Sequence, residues 1–297
     1  MGTQLATRLI EAGYDVAVYN RTAAKAQPLV DLGASLVERP ADLADRDLVF
    51  SMVSASKDLE QVMLGDGGLL SGAAIPRIIA DSSTVSMETS ALVRKEVEAR
   101  GSDFLATPVS GNPKVIAAGK LTVAVSGPRA VFDEVEPVLQ NFGRSVTWVG
   151  EGEVARLVKI AHNIMLGVVI QNLAEITVLV EKGGVKRADF LDFLNDSVMG
   201  SVFTRYKSPA LVNLDFTPTF TNVLLQKDFD LGLDAANQLG VPMPITSATR
   251  QIVAQEVGSG NTELDFATLL LTVAHGAGLE LEAEGVDVSD GLEPEEA

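Results

Sequence analysis

The chain has 297 residues, of which 46% are hydrophobic and 21% charged, and its net charge is −17 at neutral pH. That length and composition suit two globular domains with ample core. With no cysteine and two histidines, a disulfide framework and a protein-built zinc site are excluded, and an acidic surface without a basic stripe argues against nucleic acid and anionic membrane.

The chain opens Met1-Gly2-Thr3-Gln4-Leu5, and Leu5, Leu9 and Ala12 share one helical face before Gly13 stops the helix. A β-rich run follows at 16–19. Helix then strand is the later part of a dinucleotide-binding βαβ unit, with Gly2 as the third glycine of a G-x-G-x-x-G loop. The first strand and the first two glycines are missing from the pattern. Because that strand is central in such a sheet, its loss opens two strand edges. The expectation is a chain that starts about ten residues upstream, Met1 being internal, and a break in the sheet between strands 16–19 and 48–52.

Asn20-Arg21-Thr22 comes at the end of strand 16–19, where such domains select their ribose. An acid there accepts both hydroxyls of an NAD ribose, whereas the guanidinium fork suits the 2′-phosphate of NADP. Asn20, Thr22 and Lys25 can add bonds. Strands at 48–51, 78–81, 104–105 and 121–125 alternate with helices such as 23–32 and 86–100, which predicts a parallel sheet wrapped by helices. Two strand ends, Met52-Val53-Ser54 and Asp81-Ser82-Ser83-Thr84, fall at its carboxyl edge, where ligands bind in open α/β folds. The turn Thr107-Pro108-Val109-Ser110-Gly111-Asn112 offers backbone N–H groups and a hydroxyl suited to a carboxylate.

Strand signals stop after Gly152. Residues 153–182 predict one helix about 45 Å long. Its apolar stretch is interrupted by His162, Asn163, Gln171, Asn172 and Glu175, which reads as a buried protein helix and not a membrane span. Lys159 and Asn163 stand four apart on one face, an ammonium and a carboxamide able to hold a hydroxyl or carbonyl oxygen from two sides. His162 is expected to be a buried, hydrogen-bonded residue and His275 a structural one. Helices at 187–196, 228–239 and 245–257 follow, with Asp228 read as a helix cap. Residues 280–297 carry eight acids and no base, which predicts a disordered tail. The domains expected are 1–150, 151–279 and this tail at 280–297. No charged-then-apolar leader opens the sequence, and a cytoplasmic location is expected.

With these pieces in order, the chain resembles the β-hydroxyacid dehydrogenase family over residues 1 to about 278, on four motifs: Met1-Gly2, Pro108-Val109-Ser110-Gly111, Lys159-x-x-His162-Asn163 and Lys227-Asp228. The resemblance implies a Rossmann-type α/β domain followed by an all-α domain, and homodimers or homotetramers built through the helical part. It implies NADP as cofactor, with NAD as the second option, and a small β-hydroxy acid or its semialdehyde as substrate. Lys159 would be the general acid and base. Asn163 would help to hold the substrate, and Ser110, Gly111 and Asn112 would bind its carboxylate. Thr84 and the turn of Met52, Val53 and Ser54 would line the nicotinamide, Lys227 would contact the cofactor, and Phe203, Arg205, Tyr206 and Lys207 form a loop resembling the substrate-facing region.

This chain departs from the family pattern in three places. Asn112 stands where a second glycine is usual, which leaves the substrate open. His162 replaces the commoner asparagine; the decarboxylating relatives share that histidine, but Leu166 occupies the position of their glutamate. The first strand is the third departure. Imine reduction and a non-catalytic dinucleotide-binding module are the alternative functions. The imine reductases generally replace the lysine, and the intact Lys159, Asn163 and Ser110 set counts against both.

Overall fold

The computed structural model describes residues 1–292. The chain divides into two compact units, Met1–Lys159 and the remainder from Ile160.

The first unit is α/β. Helix α1 (Gly2–Glu11) leads into β1 (Ala17–Val18), then come α2 (Gln27–Asp31) and β2 (Ser35–Leu36). These two strands pair in parallel as a sheet of their own. The main sheet holds six strands: β3 (Leu48–Ser51), β4 (Ile78–Asp81), β5 (Asp103–Ala106), β6 (Val109–Ser110), β7 (Thr122–Ser126) and β8 (Ser145–Gly150). Its order is β3-β4-β5-β7-β6, and β8 also pairs with β7. Strands β3, β4 and β5 run parallel, joined by α3 (Ser56–Leu64) and α4 (Met87–Glu98), and β7 turns antiparallel to β5. Helices α5 (Pro113–Ala117) and α6 (Arg129–Leu139) connect the remaining strands.

All four residues of β4 are buried, as a strand covered on both faces requires. Ile78 and Ala80 pack with Leu105, Val123, Phe132 and Phe142 on one face. Ile79 packs with Leu59, Met63, Val93 and Phe104 on the other. The separation expected between β1 and β3 is present: both strands line one cavity of about 1190 Å³, together with Leu5, Leu29 and Phe142.

The second unit is helical. Helix α7 (Val154–Lys182) is followed by α8 (Arg187–Asp196), α9 (Val202–Asn213), α10 (Asn222–Leu239), α11 (Pro244–Gly258) and α12 (Leu269–Gly276). By length and hydropathy α7 could span a membrane, but its Ile160, Ile164, Ile170, Leu173 and Val178 form the core of this unit. Gly167 lets α10 approach, since a Cβ there would stand 2.5 Å from the ring of Phe229.

The first compact unit runs on to Lys159, because Ala155 and Arg156, in the first turn of α7, are buried in it. Two expectations are corrected. Residues 203–207 lie on α9 and not in a loop, since Ser201 and Thr204 form a reciprocal cap that starts a helix there. Residues 280–292 form neither helix nor strand, yet they are packed and not a disordered tail. Leu281 and Val288 lie against the helical core, and Glu284 accepts a 2.7 Å hydrogen bond from the Arg187 backbone. The reason is Arg187, whose fully buried guanidinium takes carboxylates from Glu181 and Glu284. The rest of the tail, 293–297, lies outside the described residues.

Candidate active site

The carboxyl end of the sheet is organised around one buried carboxylate. Asp81, the last residue of β4, is fully buried, and its Oδ1 accepts from the hydroxyls of Ser51 and Ser83. The Ser83 hydroxyl accepts in turn from the Val53 backbone at 2.9 Å. Asp81 Oδ2 receives Nη2 of Arg156 at 2.6 Å. The same guanidinium donates to the Ser83 carbonyl at 2.7 Å and to the Ser90 hydroxyl at 3.0 Å. A fully desolvated arginine requires this degree of satisfaction. The start of α7 is tied down further by Arg94 on Glu153, at 2.7 Å, and by the Ser126 hydroxyl, which donates to the Gly152 carbonyl and accepts from the Ala155 backbone.

Arg156 precedes Lys159 by three positions, and side chains three apart on a helix share a face. Lys159 is half-buried. On the next turn Asn163 is buried and donates through Nδ2 to Asp228 Oδ2, while the His162 ring nitrogen Nδ1 lies 2.9 Å from Asn163 Oδ1. Two expectations change here. His162 is exposed and not buried, because its bond to the neighbouring side chain leaves the ring outside. Asp228 lies well inside α10, whose cap is Thr221, so it holds Asn163 and caps nothing. Lys227 pairs with the Asp228 carboxylate next door, at 3.2 Å.

Ser110 ends β6, and Gly111 and Asn112 turn the chain into α5. Gly111 has φ 146°, and a Cβ there would stand 2.8 Å from Leu121 and Val115, so only glycine fits. Asn112 caps α5 by accepting from Val115 N at 2.9 Å. That bond fixes the amide and leaves its Nδ2 buried without a partner, an uncommon state for a side-chain donor.

The cavity between β1 and β3 is also lined by Met1, Gly2, Asn20, Lys25 and Met52 to Ser54. Asn20 Oδ1 accepts from Thr22 N at 2.9 Å, a short turn that leaves the Arg21 side chain 87% exposed, with Asp58 3.6 Å away. Of the four side chains proposed for distal substrate contacts, two are otherwise engaged. Lys207 is buried in an ion pair with Asp265 at 2.6 Å, and Arg205 faces Asp196 at 3.6 Å and the Asn195 carbonyl. Burial pushes the Tyr206 phenol far above its ordinary pKa, with Asp265 adding to the shift, so it stays neutral.

A family model for the NAD binding domain of 6-phosphogluconate dehydrogenase matches residues 1–150. A second, for the NAD-binding domain of NADP-dependent 3-hydroxyisobutyrate dehydrogenase, matches 150–273. The chain is 32% identical to 2-(hydroxymethyl)glutarate dehydrogenase from Eubacterium barkeri, over 85% of this chain and 84% of that one. The chain belongs to the β-hydroxyacid dehydrogenase family. It is also 28% identical to glyoxylate/succinic semialdehyde reductase 2, chloroplastic, from Arabidopsis thaliana, over 91% of this chain and 76% of that one. Among solved structures, 3-hydroxyisobutyrate dehydrogenase from Mycobacterium tuberculosis superposes with a TM-score of 0.80 at 26% identity, covering 92% of this chain and 95% of that one. The chain spans about half the length of the nuclear N-PAC relatives that it also matches. As a member of the family it is an NAD(P)-dependent oxidoreductase of small hydroxy acids, with NADP as cofactor.

The sequence motifs did not reveal the role of Arg156 or that of Asp228. An arginine in the first turn of a largely apolar helix, with an aspartate ending an apolar strand, was the available signal.

Proposed function

We propose that this enzyme interconverts a small β-hydroxy acid and its semialdehyde, with Lys159 as the general acid and base. One observation carries the reading. Arg156 turns to the carboxyl end of β4, and Lys159, three residues on, shares its helix face, which supports a lysine directed at the ligand-binding edge of the sheet. NADPH, when bound, supplies the hydride that reaches the carbonyl carbon. Lys159 as ammonium polarises the carbonyl and gives its oxygen a proton; in the oxidation it takes the hydroxyl proton. Asn163 holds that oxygen from the next turn. Ser110, the Gly111 backbone and Asn112 hold the carboxylate, and the buried Asn112 Nδ2 supports a donor that awaits an acceptor.

For the cofactor, Gly2 opens the helix that meets the pyrophosphate, and Asn20, Arg21 and Thr22 take the 2′-phosphate. Met52, Val53, Ser54 and Thr84 line the nicotinamide, and Lys227 is a further cofactor contact. We assign the protein to the cytoplasm as a homodimer or homotetramer. Exposed Met165, Leu179, Phe193 and Met199 on the helical unit support a self-association surface.

The test is NADPH turnover with a panel of short semialdehydes, and NADP reduction with the matching hydroxy acids. Turnover with imines alone would move the assignment to C=N reduction. Cofactor binding without turnover of any member would leave a non-catalytic module.

A further inference from the structure

We propose that Arg156 and Asp81 are positioning residues for Lys159. This rests on the reading of Lys159 as the acid–base group. Exchanging a buried ion pair for apolar side chains often costs no stability, so a pair this well satisfied is better explained by the geometry it enforces. Arg156 and Asp81 are 1% and 0% exposed. The guanidinium spends Nε on Ser90, Nη1 on the Ser83 carbonyl and Nη2 on Asp81, which spans three directions and leaves it little room to pivot. The Asp81 carboxylate is saturated from the other side by Ser51 and Ser83.

Two consequences follow from where these anchors lie. An α-helix rises about 1.5 Å per residue, so pinning Arg156 sets the height and rotation of the backbone that carries Lys159 about 4.5 Å further on. Ser83 also receives the Val53 backbone N–H, so the carboxylate that holds the helix turn also holds the turn of Met52 to Ser54. The lysine and a strand end assigned to the nicotinamide are therefore registered against one carboxylate. A displacement of about 1 Å is worth about a hundredfold in rate where reacting groups must meet, which is the scale such a clamp controls.

Arg156→Lys keeps the charge and the reach to Asp81 but loses the fork to Ser83 and Ser90. It is expected to lower kcat about ten- to a hundredfold, with KM for the carbonyl substrate and the NADPH Kd within about twofold of the parent, the pattern of an interaction expressed in the transition state. Ser90→Ala, which removes one anchor of three, is expected to show the same split at about threefold. A folded Arg156→Lys enzyme with kcat within about twofold of the parent overturns the proposal, as does a joint loss of kcat and NADPH affinity, which marks a merely structural role. If Arg156→Lys does not fold, Ser90→Ala decides by the same split. Lys159→Ala, measured alongside, separates the two readings. Should it retain turnover, the acid–base assignment falls and the clamp with it. Should it lose turnover while the folded clamp variants keep theirs, the clamp alone falls.

Discussion

Asn163 on α7 and Asp228 on α10 are 65 residues apart in sequence and joined by a hydrogen bond between two buried side chains. A carboxylate can only accept, so the Asn163 amide must turn Nδ2 to Asp228 and Oδ1 the other way. His162 Nδ1, 2.9 Å from that oxygen, therefore carries the hydrogen. One buried acid thus sets the orientation of the amide and the proton position on its neighbour.

Asp228→Asn exchanges a charged acceptor for a neutral amide, a loss of about 1 kcal/mol, and lets the Asn163 amide turn over. The expected outcome is a lower melting temperature together with a raised KM for the carbonyl substrate. Thermal unfolding and steady-state kinetics check it, and an unchanged KM would remove Asn163 from the substrate site.

Lys159→Ala should reduce kcat by about two to four orders of magnitude, the value of a positioned proton-transfer group. NADPH affinity should hardly move, because the lysine addresses the substrate oxygen. Retention of more than about a tenth of the parent turnover would be incompatible with the assigned role.

Arg21 should set cofactor preference. Its side chain is almost entirely exposed, so the protein itself loses little when it is removed. Arg21→Ala should weaken NADPH binding by about 1.5–3 kcal/mol, which is about ten- to a hundredfold, and leave NADH nearly untouched. Fluorescence titration of both cofactors tests this; equal weakening would refute the 2′-phosphate contact.

Asn112→Gly exchanges one good helix N-cap for another and removes an orphaned buried donor, so stability should change by only a few tenths of a kcal/mol. Substrate preference should change instead. The kcat/KM ranking across a panel of hydroxy acids is the measurement, and an identical ranking in both proteins would exclude Asn112 from substrate selection.

Much of this protein is legible in the order of its residues. Strand and helix periods are local properties, so the run of buried strands from 48 to 125 and the long helix after Gly152 can be read directly, as can the helix at 187–196. The separation of β1 from β3 was legible too, because strand order in a doubly wound sheet is a strict topological rule. The motifs at Ser110 to Asn112 and Lys159 to Asn163 are short and local, and the family resemblance implies the roles expected of them.

What the sequence could not show is which charged groups go inside and what they meet there. Composition marks Arg156, Arg187, Lys207, Asp228 and Glu284 as ordinary surface residues; the fold buries each or engages it in a pair with a group far along the chain. A buried charge is tolerated only where its partner arrives, and the partner arrives through packing of elements whose contact no local pattern encodes. Hydrophobic periodicity therefore determined most of the elements, and the short polar motifs, with the family they resemble, pointed to the candidate chemistry. Only the tertiary structure decided that Asp81 would hold Arg156, that Asp228 would hold Asn163, and that Glu284 would reach Arg187.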